Sequence, residues 1–154
     1  MEFEQLRLDN QLCFPVYAAS RLIIREYQPH LDKLDITYPQ YLVLMVLWER
    51  DNISVNEISQ KLILNTNTVT PLLKRMETQG LIKRQRSDSD ERKVIVELTK
   101  KGKQMQKEAA RIPEELAAIL ISGTLKIEDL IDLKDKLNSI IKFLSEKQEG
   151  NAIK

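Results

Sequence analysis

Residues 54–102 read SVNEISQKLILNTNTVTPLLKRMETQGLIKRQRSDSDERKVIVELTKKG, and this stretch decides the fold. Ser54 and Glu57 form the capping box S-x-x-E at the head of a short helix whose Val55, Ile58 and Leu62 face inward. Asn65 is placed to cap a second helix running from Thr66 to about Gln79, and Gly80 to end it in the left-handed conformation. Apolar alternation then predicts strands at Leu81–Gln85 and Val94–Leu98, with the charged segment Arg86–Lys93 at the tip of the hairpin. Helix, turn, helix and a two-stranded ribbon in that order make a winged helix-turn-helix. Such a module puts one helix into a DNA major groove and lays a β-loop beside it.

The second helix has two faces. Val69, Leu72, Leu73 and Met76 make its inner stripe, leaving Thr66, Asn67, Thr70 and Lys74 on or near the opposite side, with Thr68 and Arg75 in the same segment. Short polar side chains followed by a base suit the reading of groove edges and the gripping of phosphates. An ordinary solvated helix surface would look the same. Pro71 lies six positions into this helix, so the carbonyl of Asn67 loses its amide partner and a slight bend is expected. In the hairpin, Arg84 and Arg86 add positive charge, and at the tip Arg92 stands beside Asp90, an arrangement suited to projecting one restrained guanidinium toward a narrow minor groove.

Composition sets the bounds. A chain of 154 residues, 42% of them apolar, is long enough for one domain with a real core. Its formal net charge is only +1, but the segment from Lys74 to Lys103 holds ten basic and five acidic residues and is +5, leaving the remainder at about −4. A local basic patch on an acidic body is what phosphate contact requires, although surface lysines alone are a common alternative. No apolar run reaches the roughly 18 residues of a membrane span, and the acidic MEFEQLRLDN start lacks a signal-peptide core, so a cytoplasmic protein without membrane contact is expected. One cysteine, Cys13, precludes an internal disulfide and a cysteine metal cluster, and a single histidine, His30, argues against a Ser-His or zinc-histidine enzyme site. Neither a metal nor a cofactor is expected.

Outside the central stretch the chain reads as helices. From about Asp9 to Tyr27, Leu12, Val16, Ala19, Ile23 and Tyr27 recur every three or four positions. Pro15 means that this helix either begins near Gln11 or bends. In the first case Cys13 lies in the first turn, where free amides and the helix dipole favour an anion. After Gln28-Pro29 and a polar link, Thr37 is a plausible cap and Pro39 an acceptable first-turn residue for a second helix, whose apolar run from Tyr41 to Trp48 fits burial. Trp48 and the tyrosines read as core packing more readily than as a ligand-binding cluster. Helix is expected again from Thr99 to about Ile121, bent or broken at Pro113, then a turn at Ser122-Gly123-Thr124 and a last helix over roughly Ile127–Lys147 with Leu130, Leu133, Leu137, Ile140, Ile141 and Leu144 on one stripe.

The overall expectation is a mainly α fold with a small β-hairpin wing. It is one domain spanning 1–154, in which about 36–103 form the winged helix DNA-binding lobe and about 9–35 and 104–147 serve as dimerisation helices. A homodimer is expected because two recognition helices must be held about 34 Å apart to meet successive major grooves of double-stranded DNA.

At this point the residues resemble a known family. TPLLKRMETQGLIKR followed by DERKVIVELTKKG is similar to the MarR family, whose wing carries D-x-R and whose next strand ends L-T-x-x-G, here Asp90, Arg92, Leu98, Thr99 and Gly102. LDNQLCFPVYAASR and DITYPQYLVLMVLWE resemble more specifically the OhrR branch, the organic-hydroperoxide-sensing repressors. The likeness covers about Leu8 to Gly102. It implies a DNA-binding regulator, not an enzyme, in which Cys13 is the redox-sensing cysteine and Tyr27 and Tyr38 hydrogen-bond its sulfur. Tyr17, one turn from Cys13, would flank the site in the same chain. Tyr27 lies 14 residues beyond Cys13, about 21 Å along a continuous helix at roughly 1.5 Å per residue, so its phenol must come from the other subunit.

Helix amides and phenol donors favour the thiolate, which attacks the peroxide to give a sulfenic acid. With no second cysteine to resolve it, the chain resembles the one-cysteine type, which needs a low-molecular-weight thiol for a stable mixed disulfide or is overoxidised. Two departures stand out. Asn65-Thr66-Asn67-Thr68 replaces the D-S-G-T common in this branch at the start of the recognition helix, and Pro15 directly follows the LCF. Two other readings remain at this level: a MarR-type regulator answering to a phenolic or other small ligand, with Cys13 structural, and a thiol peroxidase using Cys13 catalytically.

Overall fold

Thr37 begins the part of the chain that packs most tightly. Its backbone N–H donates to Gln40 Oε1 at 2.8 Å, opening helix α2 (Tyr38–Glu49) with Pro39 in the first turn. The apolar run that follows is buried on several sides at once: Tyr41, Val43, Leu44, Val46 and Leu47 all lie in the core. A computed structural model describes residues 3–87, 90–123 and 125–152. It divides into two compact units, one ending at Ile112 and the other beginning at Pro113.

In the first unit two short 3-10 turns, Glu4–Leu6 and Leu8–Asn10, precede helix α1 (Cys13–Lys33). Of the two expected arrangements the structure takes the first, a helix beginning near Gln11: its first residue is Cys13, and Pro15 falls in the first turn, where its missing N–H leaves no bond unmade. The expected end is corrected, since α1 continues through Pro29. Proline removes one backbone bond there, to the carbonyl of Arg25, and both residues are exposed. Leu31, fully buried two residues on, anchors the last turn against the core, and Asp35 at φ 53° closes it, a conformation an aspartate tolerates.

Helix α3 (Val55–Leu62) starts at the predicted box: Ser54 Oγ accepts Glu57 N–H at 3.2 Å, and Glu57 Oε2 accepts Ser54 N–H at 2.9 Å. Ile58 is buried, and Val55 and Leu62 pack against the core. Helix α4 (Thr66–Thr78) buries Val69, Leu72, Leu73 and Met76, as its pattern predicts. Asn65 occupies the cap position, but its side chain makes no capping bond; its carbonyl takes the N–H groups of Thr68 and Val69 instead. Gly80, at φ 72°, supplies the left-handed stop.

Strands β2 (Ile82–Arg86) and β3 (Val94–Leu98) pair antiparallel, from Ile82 opposite Leu98 to Arg86 opposite Val94. The first lies one residue later than expected because Leu81 is drawn into the core at the end of the α4 turn. A third strand, β1 (Ile53–Ser54), was not foreseen; it pairs with β3 to give the order β1-β3-β2. Two residues carry no readable period. Of the hairpin tip, Asp88 and Ser89 lie outside the described residues.

Helix α5 (Lys100–Ala109) is capped by Thr99, whose Oγ1 accepts Gly102 N–H at 3.1 Å. The expected helix from Thr99 to Ile121 is broken: α5 ends at Ala109, and α6 (Ile112–Ile121) carries Pro113 in its first turn. Helix α7 (Ile127–Ala152) runs somewhat further than predicted, and Thr124 of the expected turn lies outside the described residues. Among the described residues no helix is long and apolar enough to cross a membrane, and no group of His, Cys, Asp and Glu is placed to hold a metal.

Candidate functional site

Because the buried stripe of α4 fixes its orientation, the outward row follows at helical spacing: Asn67, Pro71, Lys74 and Thr78, all exposed. Thr66 and Thr68 are exposed beside that row, as is Arg75, and Thr70 is half-buried. Thr66 and Thr70 meet Asn56 of α3 and Arg84, Arg92 and Lys93 of the hairpin around a cleft of about 220 Å³. Recognition helix and wing thus form one continuous polar and basic surface, with Arg86 exposed at the far end of β2.

Two residues in this set have a different place from the one their charge suggested. Arg84 is a strut: its backbone N–H, Nε and Nη2 all donate to the Glu77 carboxylate, at 3.0, 3.0 and 2.7 Å, and its side chain is only 21% exposed. Those bonds, the guanidinium's above all, hold the Glu77 carboxyl below the usual glutamate range. Glu77 is the sole acidic residue of α4, so the pair also removes a negative charge from the helix's free surface. Asp90 accepts the backbone N–H of Arg92 at 3.1 Å, turning the loop so that the exposed Arg92 side chain projects.

The sulfur lies elsewhere. Cys13 is the first residue of α1 and is exposed. Tyr17, one turn on, is exposed; its phenol oxygen accepts Arg21 Nη1 at 3.2 Å, and that guanidinium stands 5.5 Å from the ring centroid. Tyr27 and Tyr38 are brought together, with ring centroids 4.9 Å apart. Tyr41 joins them, 5.9 Å from Tyr27, and Trp48 follows 6.2 Å from Tyr41. Tyr41 was missed as a partner of this cluster, although its spacing from Tyr38 and Trp48 along α2 put all three on one side of that helix.

Burial, with the neighbouring phenols of Tyr38 and Tyr41 adding to it, pushes the Tyr27 phenol up to about 12, and burial raises Tyr38 and Tyr41 as well. These hydroxyls therefore keep their protons, and their capacity to donate, throughout the physiological range. Trp48 donates from Nε1 to the Gly102 carbonyl at 2.9 Å, the core role expected of it. Since α1 is one continuous helix from Cys13 to Lys33, the phenol pair and the thiol of one chain lie about 21 Å apart at roughly 1.5 Å per residue.

Apolar side chains line the free half of α1 and the surface of α7. Leu12 is 77% exposed and Phe143 66%, with Val16, Leu22, Ile131, Leu133, Ile140, Ile141 and Leu144 also in contact with solvent.

Comparison with known proteins fits this geometry. A family model described as transcriptional regulator SarA/Rot matches residues 25–109. The organic hydroperoxide resistance transcriptional regulator of Bacillus subtilis (strain 168) is 45% identical over 146 residues, covering 95% of this chain and 97% of that one. Among solved structures, reduced AbfR bound to DNA is 40% identical with a TM-score of 0.74, over 94% of this chain and 99% of that one; AbfR is a Staphylococcus epidermidis protein. Disulfide-formed AbfR, 38% identical over 95% of each chain, superposes less well, with a TM-score of 0.58. These relatives are regulators and not peroxidases, and with the two-helix head, the wing and the lone thiol in place the chain belongs to the MarR-type winged-helix transcriptional regulators, alongside the SarA/Rot and organic hydroperoxide resistance regulators.

Proposed function

We propose that the protein is a homodimeric cytoplasmic repressor that holds double-stranded operator DNA while Cys13 is reduced and releases it when an organic hydroperoxide oxidises that sulfur. The observation that carries this reading is the placement of one exposed thiol at the head of α1 and a pair of protonated phenols about four turns away, Tyr27 farther along the same helix and Tyr38 packed against it from the start of α2. Two copies arranged head to tail through α1 set each thiol beside the other copy's phenols. The apolar side chains left in solvent along α1 supply a surface for that pairing, since their exposure in one chain is otherwise unfavourable.

The chemistry balances without a cofactor. The Cys13 thiolate attacks the outer oxygen of R–O–OH, the O–O bond breaks, and an alkoxide leaves and takes a proton from solvent; sulfur is oxidised by two electrons and the peroxide reduced. The resulting sulfenic acid condenses with a low-molecular-weight thiol, releasing water and leaving a mixed disulfide, because the chain has no second cysteine. Added bulk at Cys13 displaces the phenols and biases the dimer toward a spacing of its heads that no longer fits successive grooves. A shift of this kind needs a differential of only a few kcal/mol between the two arrangements.

DNA retention by wild type and Cys13→Ser, with and without cumene hydroperoxide, tests this. Wild type is expected to release DNA and the serine variant to hold it; release by both variants overturns the assignment of Cys13.

A further inference from the structure

Four side chains make the outward row of α4, and two of them, Pro71 and Thr78, have no hydrogen-bonding capacity left to offer. Pro71 has none. Thr78 spends its hydroxyl on the Lys74 carbonyl at 3.1 Å. The one acid of the helix, Glu77, is clamped to Arg84. What remains is the Lys74 ammonium, a point charge without directional pattern, and the Asn67 carboxamide, which is exposed and has no hydrogen-bond partner among the described residues.

Resting on the DNA-binding reading, we propose that Asn67 is the specificity-determining residue of the recognition helix and reads an adenine in the major groove. Its carboxamide offers one acceptor and one donor side by side, which matches the N7 acceptor and N6 donor of adenine. Guanine presents two acceptors, N7 and O6, and cannot satisfy both groups at once. Asn67 is the second residue of α4, at the end of a recognition helix that meets base edges.

Pro71 belongs to the same arrangement. It stands one turn beyond Asn67 on the same row, adds no donor or acceptor that would compete for neighbouring bases, and with its short ring lets the helix approach the groove closely. Asn67 therefore chooses the base, while Lys74 holds the backbone and Arg92 serves the neighbouring groove.

The test is selection of duplexes from a randomised pool by the full-length wild type and by Asn67→Ala, followed by affinity measurements on the selected site with 7-deazaadenine at the preferred adenine. Wild type is expected to fix one adenine per half-site and to lose at least about fivefold in affinity when its N7 is removed. Asn67→Ala is expected to lose preference at that position alone and to ignore the deaza substitution. Selection of the same base with the same strength by both proteins, or wild-type indifference to 7-deazaadenine, overturns the assignment of Asn67 while leaving DNA binding intact. Failure of the wild type to select any duplex overturns the DNA-binding reading itself.

Discussion

Gly102 shows how much a single position can decide. A Cβ added there would sit 2.3 Å from the Leu81 carbonyl oxygen and 3.0 Å from Leu98 Cδ2. The oxygen is held in place, since it accepts the N–H of Thr99 at 3.0 Å while the Thr99 hydroxyl secures the adjoining Gly80 carbonyl at 2.6 Å. Gly102→Ala is therefore expected to lower the free energy of unfolding by about 3 kcal/mol or more, read as a reduced urea midpoint; an unchanged midpoint contradicts the clash. Ser59 makes the opposite case. It is buried and its hydroxyl lacks a partner among the described residues, so Ser59→Ala is expected to raise stability by about 1 kcal/mol in the same assay. The L-T-x-x-G pattern was legible as a motif. Its cause was not, because the obstructing carbonyl belongs to a residue some twenty positions upstream, and nothing in a linear pattern reports that approach. Cys13 and the tyrosines were legible as types, while the packing of Tyr27 onto Tyr38 and Tyr41 emerges only when α1 meets α2.

Between elements, the Arg84 and Glu77 pair ties the root of the wing to the last turn of the recognition helix. Since both side chains retain some solvent contact, the pair is expected to couple by only roughly 1 kcal/mol in a double-mutant cycle of Glu77→Gln and Arg84→Lys measured by urea unfolding. Arg92→Ala should behave differently, leaving the unfolding midpoint in place but weakening operator binding at fixed salt by at least about 1 kcal/mol; unchanged affinity contradicts a role in the groove. Sequence alone could not separate these arginines, because both present the same charge and only the fold supplies a carboxylate to one of them. The helices and the hairpin were readable from their periods and caps. Continuation of α1 through Pro29 was not, since the burial of Leu31 that sustains it is a tertiary event, and β1 is too short to carry a pattern.

The molecule as a whole should respond to pH from both sides. Glu77 is held low first by Arg84 and Glu57 first by the Ser54 N–H; at Asp51 burial acts upward but is outweighed by the Leu98 N–H, Lys103 and the Asn52 N–H. A carboxylate depressed in the folded state stabilises it above the ordinary value, 4.5 for the glutamates and 3.8 for the aspartate, and that contribution drains away as pH falls through the lower folded values. Tyr27 works in reverse: below pH 10 its contribution is complete, and it is lost as pH rises toward about 12. Stability against urea is therefore expected to be flat between about pH 5 and 10 and to fall on either side; a midpoint that does not drop below pH 4 contradicts the acidic arm. The short strand β1 has one more consequence, in the order of assembly. Ile53 lies opposite Val96, so joining β1 to β3 closes a loop of more than forty residues that contains both helices of the DNA-reading head, whereas β2 and β3 meet across a short turn. Closing the longer loop carries the greater entropic penalty, so the hairpin can form early and the β1 pairing last. Refolding should protect the amides of the hairpin before those of Ile53 and Ser54, and the reading head becomes locked at both ends only in that final step.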